Sequence, residues 1–258
     1  MNSKRGQVTI FVIIAIVIIA GVVLVFSLNK GSFFNSKNKD VQDVQDHVDV
    51  CLEKSLKSAL FSNSIQGGYF DTPLDSVHYQ SREYNLDQII PYYLENGVDK
   101  AINRENLEVE LNKAVKNNIN DCLNFSQFNS EVNYSSENFI FDSSIADDSV
   151  EISAIMPLYI ARNGSTSFLK DFKTLVPTLY GDYYRLALSM NEEQKNYPDS
   201  VCLSCFDSLA QNYSMEVFTN EITESSSQVN IYYLISNQSK NDPVKFYSFA
   251  HKFNLEKK

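Results

Sequence analysis

The chain has 258 residues, of which 43% are hydrophobic and 21% charged, and its formal net charge is −10. This length provides for one large domain or two small ones with a buried core. The negative charge repels phosphate backbones and excludes nucleic acid as an expected partner, and the 15 Tyr and 17 Phe are too many for a disordered tail.

An uncharged stretch near the start of the chain predicts a membrane-spanning helix. Residues 8–28 contain no charged side chain, and a helix of that length measures about 31 Å, close to the roughly 30 Å of a hydrocarbon core. The stretch ends in Phe26, Ser27 and Leu28, which lack the small residues of a cleaved secretory signal. We therefore expect the helix to stay on the chain as an anchor in the lipid bilayer.

The basic residues around this stretch predict its orientation. Lys4 and Arg5 lie directly before it, whereas the lysines after it are soon followed by acidic residues. Short segments rich in Lys and Arg stay in the cytoplasm, and the tight placement of the first two charges favours a cytoplasmic N-terminus. We expect a single-pass protein with an extracellular domain.

The next part of the chain predicts a linker and a mainly helical region. Residues 29–40 read as a polar linker, and residues 41–130 as the helical region. Apolar residues at helical spacing predict a helix over 41–66, ended by a left-handed Gly67-Gly68 cap. A short strand is expected over 88–94, and a second helix over 104–124 with Asn103 as its N-cap.

The remaining residues, 131–258, predict an α+β region with antiparallel strands. Helices are expected over 179–196 and, after Pro198, over 201–210. Strands are expected over 131–134, 138–142, 150–160, 167–176, 215–219, 229–235 and 244–253. Because helices and strands are segregated rather than alternating, the predicted fold class is α+β, with amphipathic helices packed on an antiparallel sheet.

Two resemblances accompany these patterns. The segment Lys4 to Phe11, KRGQVTIF, resembles the class III signal of archaeal prepilin-type proteins. That resemblance implies cleavage between Gly6 and Gln7 with the apolar helix retained, and it raises the alternative of a type IV pilin-like filament subunit. Such subunits often carry Glu at the fifth mature position, which is Phe11 here.

The second resemblance covers most of the chain. It is carried by the segments CLE, QGGY, PYYL and CLSC, which begin at Cys51, Gln66, Pro91 and Cys202. Together with the N-terminus they resemble a group of uncharacterised membrane-anchored surface proteins of small-genome archaea. The resemblance implies a topology and brings no activity with it.

The four cysteines allow three disulfide connectivities. Cys51 and Cys122 each lie on the apolar stripe of a predicted helix, so face-to-face packing could join them, and such a bridge would stabilise the fold by about 4 kcal/mol. Since the domain is expected outside the cytosol, we expect Cys51 to pair with Cys122 and Cys202 with Cys205. The alternative is four buried free thiols.

The CLSC motif also allows a thiol–disulfide oxidoreductase using Cys202 and Cys205, or a zinc site completed by another ligand. His47, His78 and His251 stand alone in the sequence, and we predict no catalytic, cofactor-binding or metal-binding residues. Asn163, in a predicted turn, is the best candidate for glycosylation.

The functional expectation is a structural or interaction component of the cell surface rather than an enzyme. Its partners would be the lipid bilayer and either other envelope proteins or further copies of the chain. The alternatives are the filament subunit and the thiol–disulfide oxidoreductase.

Overall fold

The computed structural model describes residues 39–81, 86–162, 164–198, 200–224, 227–237 and 241–254. The predicted membrane span, the processing site at Gly6 and Gln7, and Asn163 lie outside these residues. None of the helices in the described ranges is both long and apolar enough to cross a membrane. The chain divides into two compact units, residues 1–43 and 44–258, and the second contains both disulfides and every strand that the structure describes.

The described residues confirm an α+β fold. The four α-helices are α1 (Lys39–Ser64), α2 (Arg104–Cys122), α3 (Tyr180–Gln194) and α4 (Leu203–Asn212), and Ser136–Asn138 form a short 3₁₀ helix. Each α-helix was expected within a few residues of these bounds, because each carries an apolar stripe at helical spacing.

Within the described ranges, ten strands form two sheets. The first contains β1 (Ser76–Ser81), β2 (Leu86–Glu95), β3 (Val98–Asp99), β8 (Met215–Glu224), β9 (Ser227–Ser236) and β10 (Tyr247–Asn254). Its order is β1-β2-β10-β9-β8, with β3 beside β2. The second contains β4 (Glu131–Asn133), β5 (Ile140–Ile145), β6 (Ser149–Arg162) and β7 (Ser165–Pro177). There β6 is central, paired with β4 and β5 along one edge and with β7 along the other.

The expectation of one antiparallel sheet was wrong in two respects. The chain builds two sheets, and the first is mixed, because β10 runs parallel to β2 with Ala250 opposite Tyr92. Parallel neighbours need a long connection, and the whole middle of the chain separates these two strands. Strand β1 was not expected, and β10 begins at Tyr247 rather than at residue 244.

The two long helices are joined by a covalent bond. The predicted stripe of α1 is buried at Val48, Cys51, Leu52 and Leu56, and that of α2 at residues including Leu111. Helix α2 also follows its capping signal, since the Asn106 backbone N–H donates to the Asn103 side chain at 2.8 Å. The Cys51–Cys122 disulfide joins α1 to the last residue of α2, with 5.6 Å between the two Cα atoms.

The Gly67-Gly68 turn after α1 is held by its surroundings. Both residues have positive φ angles, +57° and +86°. A Cβ on Gly68 would lie 2.4 Å from Leu107 Cδ1 and 2.9 Å from the Tyr247 hydroxyl. The sequence predicted the backbone conformation, and the structure adds that no side chain fits here.

We expect Gly68→Ala to destabilise the protein more than Gly97→Ala. Gly97 has a similar φ of +83°, but an added Cβ there meets nothing within 4 Å. Both substitutions therefore carry the same cost of placing alanine at a positive φ. At Gly68 alone, crowding lowers the free energy of unfolding by about 1–3 kcal/mol more. Chemical denaturation of both variants measures the difference, and equal free energies of unfolding would contradict the crowding.

Candidate functional site

The four cysteines form the two expected disulfides, which differ in their surroundings. Cys51–Cys122 spans a sequence separation of 71, and Cys51 is completely buried. Cys202–Cys205 spans a separation of 3, and both residues are half-buried. In the chain-entropy model, stabilisation grows with the closed loop, from about 2 kcal/mol for the short loop to about 4 kcal/mol for the long one. The Cys202–Cys205 disulfide therefore stabilises the fold less than Cys51–Cys122 does. It is also the more accessible of the two.

The Cys202–Cys205 bridge lies at the N-terminus of α4. Cys202 is the N-cap residue, and its carbonyl oxygen accepts hydrogen bonds from the backbone N–H groups of Cys205 and Phe206, each at 3.1 Å. The positive end of a helix dipole stabilises a thiolate at such a position. Leu203, between the cysteines, is 53% exposed and adds an apolar contact point beside the sulfurs.

The structure does not favour the zinc alternative at these cysteines. All four sulfurs are in disulfides, so none is a thiolate ligand. No group of three His, Cys, Asp or Glu residues within the described ranges could hold a metal ion. The surroundings of Cys202 and Cys205 also differ from those of a thioredoxin-like redox motif, which follows a strand. Here α4 follows helix α3.

A buried aromatic cluster supports α4 from below. Phe206 packs edge-on against Tyr232 at 5.4 Å and against His251 at 6.3 Å between ring centroids. The His251 ring also lies 5.4 Å from Phe249 and 6.4 Å from Phe253. Neither His251 nitrogen nor the Tyr232 hydroxyl has a hydrogen-bond partner among the described residues. Burial lowers the pKa of His251 to about 3, an effect that the Asp99 carboxylate partly opposes.

The second sheet exposes apolar side chains on one of its faces. Along β6 the alternate residues Val150, Ile152, Ala154, Met156, Leu158 and Ile160 are buried. The opposite side, which we call the outer apolar face, exposes Ile140, Ile155, Tyr159, Phe168 and Leu175. Ile140 lies directly opposite Ile155, and the Tyr159 and Phe168 rings are 5.0 Å apart. Contiguous exposed apolar surface of this kind often marks a contact site.

Four of the charges on this face form two ion pairs, and the exposed carboxylates of Asp142 and Glu131, opposite Ser153 and Ala161, lie on the same side of the sheet. Lys173 lies 2.8 Å from Glu151, and Lys170 lies 3.8 Å from Asp171. These four residues contribute no net charge, although the chain as a whole carries −10.

Sequence reasoning missed the outer apolar face. The alternation of side chains predicted strand β6. It did not show which face is covered, because apolar residues such as Ile155 and Tyr159 occupy both faces of the strand. Only the packing of α2 and α3 on the sheet decides which side is covered. For comparison with known proteins, no family model, curated protein or solved structure matches this chain.

We expect His251→Phe to flatten the acid dependence of stability. Between pH 6.5 and about 3 the unfolded chain binds a proton at residue 251 that the folded chain does not bind, so the free energy of unfolding falls as the pH falls. Phenylalanine fits the aromatic surroundings and has no proton to bind. Between pH 7 and pH 4 the free energy of unfolding of the variant should rise by about 3 kcal/mol relative to that of the parent.

Denaturant titrations at several pH values measure this gain. The matched control is His78→Gln on the exposed side of β1, which removes a histidine that lies outside the buried aromatic cluster. If the His251→Phe curve runs parallel to that of the parent, the folded and unfolded chains bind the His251 proton equally over this range, and the assignment of His251 as a residue kept neutral by burial fails.

Proposed function

We propose that this protein is a single-pass, membrane-anchored surface protein whose domain makes structural contacts outside the cytoplasm. The observation that carries the proposal is an uncharged, membrane-length segment at residues 8–28 followed by a folded unit with two disulfides. A segment of that composition gains on the order of 5–10 kcal/mol on insertion. Disulfides persist in oxidising compartments, which favours the outer side of the membrane for the domain.

We assign the contact to the outer apolar face and propose that its partner is a second copy of the chain. A net charge of −10 opposes association through most of the surface. On β6 and β7 the charges of Glu151, Asp171, Lys170 and Lys173 pair within the face, which limits the repulsion between two copies there to that of the remaining carboxylates such as Asp142. Anchoring in one membrane also confines the copies and raises their effective concentration.

The test uses membranes that contain the full-length chain, washed with carbonate and then treated with a chemical cross-linker. We expect the chain to stay in the membrane pellet and to yield a cross-linked dimer. The double substitution Ile155→Lys with Phe168→Lys should lower the dimer yield at least tenfold, because it places four added charges at the contact between two copies.

The matched control is Val98→Lys with Phe218→Lys, since these residues are 59% and 50% exposed on the first sheet. It adds the same charge and should leave the dimer unchanged. Release of the parent chain by carbonate would overturn the anchor. A dimer insensitive to the first pair of substitutions, or cross-links only to other proteins, would overturn self-association. Filaments seen by electron microscopy would favour the pilin-like alternative.

A second candidate function rests on the accessible Cys202–Cys205 bridge at the N-terminus of α4. A thiolate of a partner dithiol would attack one of the two sulfurs and release the other as a thiolate, stabilised by the helix end. The second thiol of the partner would then resolve the mixed disulfide. The partner leaves as a disulfide, two electrons are transferred, and Cys202 and Cys205 remain as thiols.

A single-turnover experiment tests this exchange. We expect a reduced two-cysteine peptide to be oxidised with a yield of one equivalent per chain, while alkylation labels Cys202 and Cys205. Cys51 and Cys122 provide the internal control and should stay unlabelled, because Cys51 is completely buried. Cys202→Ser with Cys205→Ser should abolish the reaction, and peptide oxidation by that variant would exclude the site.

A further inference from the structure

A cluster of aromatic rings lies beside the N-terminal part of α1. The loop after α2 brings Phe125 and Phe128 to His47, with ring centroids 5.6 and 5.4 Å away. Tyr134 packs edge-on against Phe125 at 5.5 Å. We call Phe125, Phe128 and Tyr134 the aromatic loop patch. Phe125 and Phe128 are half-buried, and Tyr134 is 40% exposed, so each ring has one side on the protein and one side in solvent.

The polar residues of the loop that carries this patch are uncharged, and the one carboxylate in the groove that these rings line is Glu131, at the start of β4. Residues 122–130 contain no charged side chain, although the chain carries −10 overall. The polar side chains between the rings are exposed amides and hydroxyls, at Asn124, Ser126, Gln127 and Asn129. Aromatic rings with neutral polar neighbours are suited to the headgroup region of a bilayer, where they gain apolar burial without the cost of desolvating a charge.

The patch also lies where the chain enters the domain. The second compact unit begins at Val44, and His47 is one helical turn farther along α1. The disulfide to Cys51 fixes Cys122, the residue that begins the uncharged loop, to the same part of α1. Residues 29–38, which separate the predicted span from α1, cover at most about 35 Å when fully extended. The anchor therefore keeps this end of the domain within reach of the bilayer.

We infer that the aromatic loop patch docks onto the lipid bilayer, with Phe125, Phe128 and Tyr134 at the headgroup level of the membrane that holds the anchor. The inference rests on the proposed function, because it needs the anchor to bring the domain to the surface. It adds a second, shallow contact that sets the orientation of the domain on the membrane. The neutral loop implies that this contact does not depend on anionic lipid.

The absence of tryptophan from the chain provides a direct probe. The full-length Phe128→Trp variant is reconstituted into phosphatidylcholine vesicles that carry a spin-label quencher near the headgroup. The matched control is Phe61→Trp, which is 37% exposed near the other end of α1, about 21 Å along the helix from His47. We expect at least twofold greater quenching at residue 128 than at residue 61, unchanged when anionic lipid is added.

The outcomes separate this inference from the proposed function. Equal quenching at the two positions, in a chain that floats with the vesicles after a high-salt wash, overturns the docking and leaves the anchor standing. A chain that does not float with the vesicles overturns both. Retention of the Cys51–Cys122 disulfide and of the near-ultraviolet circular dichroism checks folding, and Tyr134→Trp replaces Phe128→Trp if that variant misfolds. Quenching that appears only with anionic lipid identifies charge attraction elsewhere on the domain and also overturns the docking.

Discussion

The fold is closed by the last strand, β10, which lies between β2 and β9 and contacts the turn after α1. Tyr247 on β10 and Tyr93 on β2 are completely buried, and their hydroxyl oxygens are 2.7 Å apart. Tyr93 also donates to the Gly67 carbonyl at 3.0 Å, and the Ser248 hydroxyl donates to the Ile65 carbonyl at 2.7 Å. Burial raises the pKa of both phenols well above the usual value, so they stay neutral at physiological pH. Loss of one partner would leave a buried polar group without a hydrogen bond, which is unfavourable. These few bonds therefore fix β10 against β2 and against the turn after α1.

The same strand carries the support for the accessible disulfide. Farther along β10, the His251 ring packs against Phe206, the residue next to Cys205. The same ring also packs against Phe249. The helix that carries the bridge is therefore packed on an aromatic layer through Phe206. The two disulfides have different consequences for the molecule. The Cys51–Cys122 disulfide constrains α1 against α2 across a sequence separation of 71, whereas the half-buried Cys202–Cys205 disulfide closes a single helical turn.

The surfaces assigned to the membrane and to a second copy are connected through the second sheet. Tyr134 of the aromatic loop patch stacks on Phe139 at 5.8 Å, and Phe139 packs edge-on against Phe141 of β5. The strand after the loop, β4, pairs with β6 at Tyr159, one of the residues of the outer apolar face. A patch fixed at the bilayer would thus limit how the sheet is presented to neighbouring copies, because β4, which follows the loop, is paired with the strand that carries Tyr159.

Features encoded within a few residues of one another were predictable from the sequence. The stripes of α1 and α2, the Asn103 cap and the Gly67-Gly68 turn follow from side-chain spacing and backbone preference, which depend on neighbours along the chain. The disulfide pairing was also accessible, because each of Cys51 and Cys122 lies on an apolar stripe. The parallel pairing of β10 with β2, the burial of His251 and the exposed side of β6 were decided only by the tertiary structure. Each depends on which distant segment covers a surface, and a strand with apolar residues on both sides has no local signal for that choice.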